Sequence, residues 1–516
     1  MDRRTFMSSL AVSALASGVQ ARQARAAAPS LVPAQPSTAP NYWCTWAAQN
    51  YMYGHDLAAL DPRILEGGSG ANLAHDAMRE SILFGERGWA ETFYPQIRRD
   101  LYFLLDDGWQ AGGSSTFVLD AAKFPRFQGS PRDRLAALNR ALVDAGWRGA
   151  ALWCRNTPAG NSGLPLLERS QSASIGYWKI DGGDGQFDLM RLRDETRAAL
   201  TLEHVHGEIP VNGDWTRDGR FEPQSWDSRR VEILRHSDVY RTYDVTSILS
   251  LPTTLDRVAQ LLHAAQNHAG VRGLLNVEDE VYLAAVLGCT MGVMRHPLAG
   301  LRPGSDVDLF FNGPRQVKRR MDEVVRAVRW QRIAPPFAAG LGSFAMSREI
   351  LTDSWVLEAG ETWQSDLIGR TIRQGAPACL ARNIAMPQVS APGEEPFVYA
   401  AAFPSGAAAI GAQQRTQPGN AWFMPACEVT LDVAALPGPF GIFGEFSRLT
   451  LVFDRPLQGR RILAQDLAGD EPLDISSQVR VEGARLHLPG EILRSVGLHS
   501  RAAGDLSSPA LVLALA

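Results

Sequence analysis

Four apolar runs in this chain end in carboxylates. Tyr102–Leu105 runs into Asp106 and Asp107, and Gly176–Ile180 runs into Asp181. Val231–Ser237 precedes Asp238, and Leu274–Val277 precedes Glu278, Asp279 and Glu280. A lone acid after a strand is most often a helix cap. Acids repeated on successive runs instead describe a site at one end of a parallel sheet, where loops replace strands. Two carboxyl groups facing each other across a sugar-sized gap are what glycosidic cleavage needs: one protonates the leaving oxygen, the other meets the developing positive centre. Lys179 stands two residues before Asp181 and therefore on the same strand face. His204 and His206 also share a face, and with Glu203, Glu208 or Asp181 such an H-x-H could hold a metal. A metal-dependent barrel hydrolase is thus one alternative; the milder reading is two imidazoles binding sugar hydroxyls. The Gly182–Gly185 stretch lacks the Lys and Ser/Thr of a phosphate-binding loop and reads as a loop open to substrate.

The elements that must position these groups alternate. Short apolar extended runs at 100–105, 148–153, 176–180, 200–205, 231–237 and 274–277 are interleaved with helical stretches at 132–145, 189–199, 253–268, 279–294 and 318–332. Leu135, Leu138 and Leu142 mark one such helical face. Strand–helix alternation implies parallel strands with right-handed crossovers. Without a GxGxxG turn, a closed (β/α)8 TIM barrel over 41–340 is favoured over an open dinucleotide-binding sheet. From about Gly340 the helical spacing stops. Runs such as Glu428–Val433, Arg448–Phe453 and Val479–Val481 alternate with Gly/Pro turns, predicting a C-terminal antiparallel β-sandwich over 341–516.

The totals fit a barrel with an appendage: 516 residues, 45% hydrophobic, 21% charged and a formal net charge of −4. No basic stripe marks a nucleic-acid or anionic-lipid partner. The five cysteines, Cys44, Cys154, Cys289, Cys379 and Cys427, have no metal spacing and predict no disulfide. Asp2-Arg3-Arg4-Thr5-Phe6-Met7 followed by a weakly apolar stretch resembles a twin-arginine signal over 1–28, with a Pro/Ser/Ala linker at 29–40. That stretch is too short to span a bilayer. Export to a periplasm is the expectation, with the oligomeric state open.

The motifs also resemble a known family group. Tyr102–Trp109 is similar to the strand-end DDGW or DDCW motif of glycoside hydrolase families 27 and 36. Lys123-Phe124-Pro125, Leu138–Gly146 and Gly149–Trp153 are similar to their FP…L…G…GxW segment. Gly176–Asp181 resembles their GxxYxKxD strand, and Leu234–Asp238 their strand ending in Ser-Asp. The order agrees from about Tyr42 to Pro297. The resemblance implies a retaining exo-α-glycosidase, α-galactosidase-like, acting without metal or organic cofactor on a terminal sugar of an oligosaccharide or glycoside. It makes Asp181 the nucleophile and Asp238 the acid/base, with Asp244 as rival. It has Asp106, Asp107 and Lys179 hold sugar hydroxyls and Trp46 and Trp109 pack against the ring; Trp153, Arg235 (one position closer to the acid than in family 27) and, outside the resemblance, His204 and His206 are further expected sugar contacts. Glu203–Glu208 departs from the family's fifth strand end, which leaves the sugar open. A non-catalytic carbohydrate-binding barrel is the remaining alternative.

Overall fold

The computed structural model describes residues 29–53, 74–112, 116–155, 164–181, 189–196, 199–205, 233–242, 251–266, 268, 270–297, 319–356, 371–417, 421–434 and 438–516. The proposed leader (1–28), the Gly182–Gly185 loop, His206, Glu208 and Asp244 lie outside the described residues. No described helix is long and apolar enough to cross a membrane.

Eight parallel strands close into a barrel in sequence order. They are β1 (Asn41–Cys44), β2 (Leu101–Leu105), β3 (Ala150–Arg155), β4 (Tyr177–Asp181), β5 (Thr201–Val205), β6 (Val239–Arg241), β7 (Leu274–Glu278) and β8 (Thr290–Val293). β1 pairs with both β2 and β8, which closes the ring without an edge. Along each strand the side chains alternate between lumen and helix layer. In β4, Trp178 points out, its Nε1 donating to Ser170 Oγ at 2.8 Å, while Lys179 and Asp181 point in. The helices take the outer positions. α1 (Pro131–Asp144) starts where its sequence says it should. Ser130 and Asp133 form a reciprocal capping box, proline follows the cap, and Leu135, Leu138 and Leu142 are buried beneath. The others used below are α2 (Leu164–Ser172), α3 (Leu189–Thr196), α4 (Leu251–Gln266), α5 (Val281–Leu287) and α6 (Met321–Trp330).

Two elements differ from the sequence reading. Residues 279–294, expected to be one helix, are α5 followed by strand β8. The run is apolar throughout, so its period does not reveal the break. Gly288 makes it, with φ +66°, a left-handed C-cap against which Phe337 packs so closely that a Cβ would meet its ring at 2.3 Å. Residues 233–236, expected to be extended, are helical, and strand β6 begins only at Val239. The stretch 29–40 also does more than link. Val32 and Ala39 are buried, the Leu31 amide donates to Gln465 Oε1 (2.6 Å) and the Ser37 amide to Asp100 Oδ1 (2.7 Å).

The C-terminal region is built on two facing sheets, one of eight strands and one of five, with mixed pairing, and carries two further two-stranded sheets. Residues Phe397–Ala402 pair antiparallel with Ala408–Gln413 but parallel with Cys379–Arg382, so the sandwich is not purely antiparallel. Its inner faces share a core through Val398, Ile410, Val429, Leu449 and Leu486. The other face of the larger sheet lies on the barrel. Tyr282 of α5 meets Phe443 at 5.1 Å between ring centroids, and Trp330 of α6 meets Phe403 and Phe443 at 5.9 Å each. Arg326 of α6 forms a buried pair with Asp466 (Nε–Oδ1 2.9 Å, Nη2–Oδ2 3.1 Å) across the same contact. All five cysteines are free and buried.

Candidate active site

Inward positions near the C-terminal ends of β1, β2, β4, β6 and β7 bring one set of charges together. Lys179 Nζ lies 2.6 Å from Asp106 Oδ2 and 3.5 Å from Asp181 Oδ2. Cys44 Sγ donates to the same Asp106 oxygen at 3.0 Å, and the Asp107 amide caps Asp106 Oδ1 at 2.9 Å. Asp106 and Lys179 are sealed from solvent, whereas the Asp181 side chain keeps 18% of its surface open. Trp153 Nε1 donates to Asp181 Oδ2 at 3.3 Å. Asp181 is therefore the member of the cluster with open surface, and the Lys179 amine and the Trp153 indole are among its partners.

The electrostatics follow from burial and pairing. Burial pushes the Asp106 carboxyl up, but the Lys179 ammonium, the Cys44 thiol and the Asp107 amide outweigh it and hold it below its ordinary value. For Lys179, burial and the nearby Arg241 oppose the charge. Asp106, Cys44 and Asp181 favour it, and the net is a raised pKa. The ammonium is thus a permanent positive charge beside Asp181. Beneath it, Arg241 of β6 and Glu278 of β7 form a fully buried ion pair. Lower still, Glu203 accepts from Tyr42 Oη at 3.2 Å and from Asn276 Nδ2. Burial raises the Glu203 carboxyl despite Arg241, Lys179 and these donors.

Of the residues expected at the site, the structure brings together Asp106, Lys179, Asp181 and Trp153. Asp107 stands at the rim, with Trp46 nearby beside His75. Four depart from expectation. Asp238 precedes β6 instead of ending it, so it sits at the N-terminal end of the barrel, opposite Asp181. There its carboxylate takes Arg193 of α3 in a bidentate pair and the Leu202 amide at 2.9 Å. Arg235 lies in the helical turn before it and is exposed on that side. Trp109 is wholly buried against Phe117, with Nε1 donating to the Trp153 carbonyl at 3.2 Å, so it is core and offers no ring platform. His204 faces the helix layer, because its neighbour Glu203 faces in, and its Nδ1 lies 2.6 Å from Ser237 Oγ. That removes it from the lumen where the metal reading needs it. Among the described residues, no group of three or more His, Cys, Asp or Glu could hold a metal ion.

Other strand-end acids have structural duties. Asp279, at φ +55°, accepts the Met294 and Arg295 amides at 2.9 Å each and so ties β7 to β8. Sequence reasoning missed Cys44, Arg241 and His75. The alternation of β6 points to Arg241 once the strand's start is known. His75 sits in a short 3-10 turn, His75–Ala77, which has no periodic signal.

No protein-family model and no curated protein matches the chain. One solved structure, that of GH5_18 from Streptomyces cattleya in complex with GlcNAc, aligns with 64% of this chain and 87% of its own. The identity is 15% and the TM-score 0.26, too loose an overlay to transfer residues or activity.

Proposed function

We propose that the chain is a retaining exo-α-glycosidase of the clan that holds families 27 and 36, α-galactosidase-like in its preferred sugar. The observation that carries the reading is the neighbourhood of Asp181: a partly exposed carboxylate at a barrel's C-terminal mouth, beside a sealed Lys179–Asp106 pair. In the first step Asp181 attacks the anomeric carbon as the bond to the leaving oxygen breaks and that oxygen takes a proton. In the second, water, losing its proton to the same acid/base group, releases the sugar with net retention. Lys179 sets a positive charge beside the nucleophile, and Asp107 offers an acceptor to the ring hydroxyls.

Asp238 is paired with Arg193 at the far end of the barrel, which speaks against it as the acid/base. Retention needs two carboxyl groups about 5–5.5 Å apart. Glu278 is locked to Arg241. The role passes to Asp244, which follows the C-terminal end of β6 by three residues and lies outside the described residues. Export of the protein through its twin-arginine-like leader belongs to the same proposal.

The displacement of Asp238 also favours a second reading, a carbohydrate-binding barrel that has lost one working acid. A screen of p-nitrophenyl α-glycosides (galactose, N-acetylgalactosamine, glucose, fucose) and β-L-arabinopyranoside separates them. Turnover that Asp181→Ala abolishes, and that azide restores in Asp244→Ala on good leaving groups, supports the enzyme. Sugar binding without turnover selects the binder, and neither binding nor turnover rejects both.

A further inference from the structure

Two turns that are distant in sequence are clamped together at the rim of the barrel mouth. Gln49 Nε2 donates to the carbonyls of Ala74 (3.3 Å) and Asp107 (2.9 Å). Lys123 Nζ donates to the carbonyls of His75 (3.0 Å) and Gly108 (2.8 Å). Each of these side chains staples the 74–75 turn to the 107–108 turn. Gly108, at φ +110°, lets them close: a Cβ there would stand 2.8 Å from His75 Cα. The result is that His75 Nε2 stands 3.1 Å from Asp107 Oδ2, an ion-pair distance without the alignment of a hydrogen bond, with 28% and 26% of the two side chains exposed. The Trp46 ring lies 6.3 Å from the imidazole, tilted by 52°.

An ordinary surface ion pair does not require this much fixing, because two solvated side chains gain little from it. Here four hydrogen bonds and a glycine in a left-handed conformation hold the backbone on both sides of one contact. The contact sets the imidazole against Asp107 Oδ2, and Oδ1 has no partner among the described residues. A carboxylate with one oxygen tied and the other open is a directed acceptor. Beside the apolar face of Trp46 it fits a ring hydroxyl of a pyranoside.

The geometry points to His75 as the positioning residue for Asp107: clamped against Oδ2, it limits how the carboxylate can turn and aims Oδ1 at one hydroxyl of the bound sugar, and so sets which sugar the mouth accepts. This inference rests on the glycosidase reading for its ligand class and adds a selectivity residue that the sequence motifs do not contain.

The test is calorimetric binding of methyl α-D-galactopyranoside and its 3-, 4- and 6-deoxy analogues to the full chain and to His75→Ala and His75→Asn. Removing the aim of one charged hydrogen bond is expected to weaken the parent sugar about tenfold in His75→Ala. The one deoxy analogue that lacks the read hydroxyl should be weakened little further, and His75→Asn, which keeps an N–H donor, should recover most of the loss. Melting temperatures near the wild type exclude unfolding as the cause. Unchanged binding of all four ligands by His75→Ala overturns the proposal. So does an equal loss on every analogue, which a merely structural role would give. Wild-type protein that binds none of the four overturns this inference. The aryl-glycoside screen then reports separately whether the functional reading survives.

Discussion

Asp106, Lys179 and Asp181 form a chain of charges in which only the last is exposed. Breaking a buried pair leaves the survivor uncompensated, so Lys179→Met should cost about 3–5 kcal/mol. Neutralising both partners, as in Lys179→Met with Asp106→Asn, should recover most of that in urea denaturation while turnover stays low. Equal losses in the single and double variants would contradict the pairing. Lys179 and Asp181 were legible because a two-residue spacing on a strand is a statement about faces. Cys44 and Arg241 were not. Their role exists only where several strands, far apart in sequence, converge on one lumen, and no local pattern carries that convergence. Trp109 shows the converse limit, since an aromatic after a strand looks the same whether it stacks on sugar or on Phe117.

Strand and helix boundaries decide which end of the barrel a side chain reaches. The sequence around Asp238 has an apolar flavour on both sides. Ile233 and Leu234 belong to a helical turn, and Val239-Tyr240-Arg241 forms the strand. A shift of a few residues therefore moves an acid from the mouth to the floor. Asp238→Ala should lower the melting temperature by a few degrees through loss of Arg193 and the Leu202 amide, and change kcat/KM by less than about threefold; a drop of about a hundredfold or more would return it to the chemistry. Helix α4 supplies a second test. Burial raises the Asp256 carboxyl from 3.8 to about 7, outweighing the Gln260 amide that favours the ionised form. The folded chain then holds this proton more tightly than the unfolded one, so stability is lost as pH rises from about 4 to about 7. Asp256→Asn should flatten that decline in melting temperature. A decline unchanged in the variant would refute the assignment.

For the molecule as a whole, the change from helical spacing to Gly/Pro-punctuated strands near Gly340 marks the passage from barrel to sandwich, and the fold class was readable from that alone. The joint between them was not. Tyr282, Trp330 and Phe337 are barrel aromatics whose partners are Phe403 and Phe443 of the larger sheet, and Arg326 finds Asp466 there. Arg382 reaches back to donate to the carbonyls of Leu287, Gly288, Phe337 and Ala338, closing the end of α5. One hydrophobic core runs through both regions. Removing 341–516 should therefore yield a barrel that binds hydrophobic dye and melts without a cooperative transition. A soluble fragment with a sharp transition would show the regions to be independent.

The central claim is that Asp181 bonds to the sugar. Incubating the protein with a fluorinated α-galactosyl fluoride, digesting it and sequencing the modified peptide by mass spectrometry tests this directly. One fluoroglycosyl group is expected on Asp181, absent from Asp181→Ala. The same group on another carboxylate, or turnover of α-glycosides with inversion at the anomeric carbon, would contradict it.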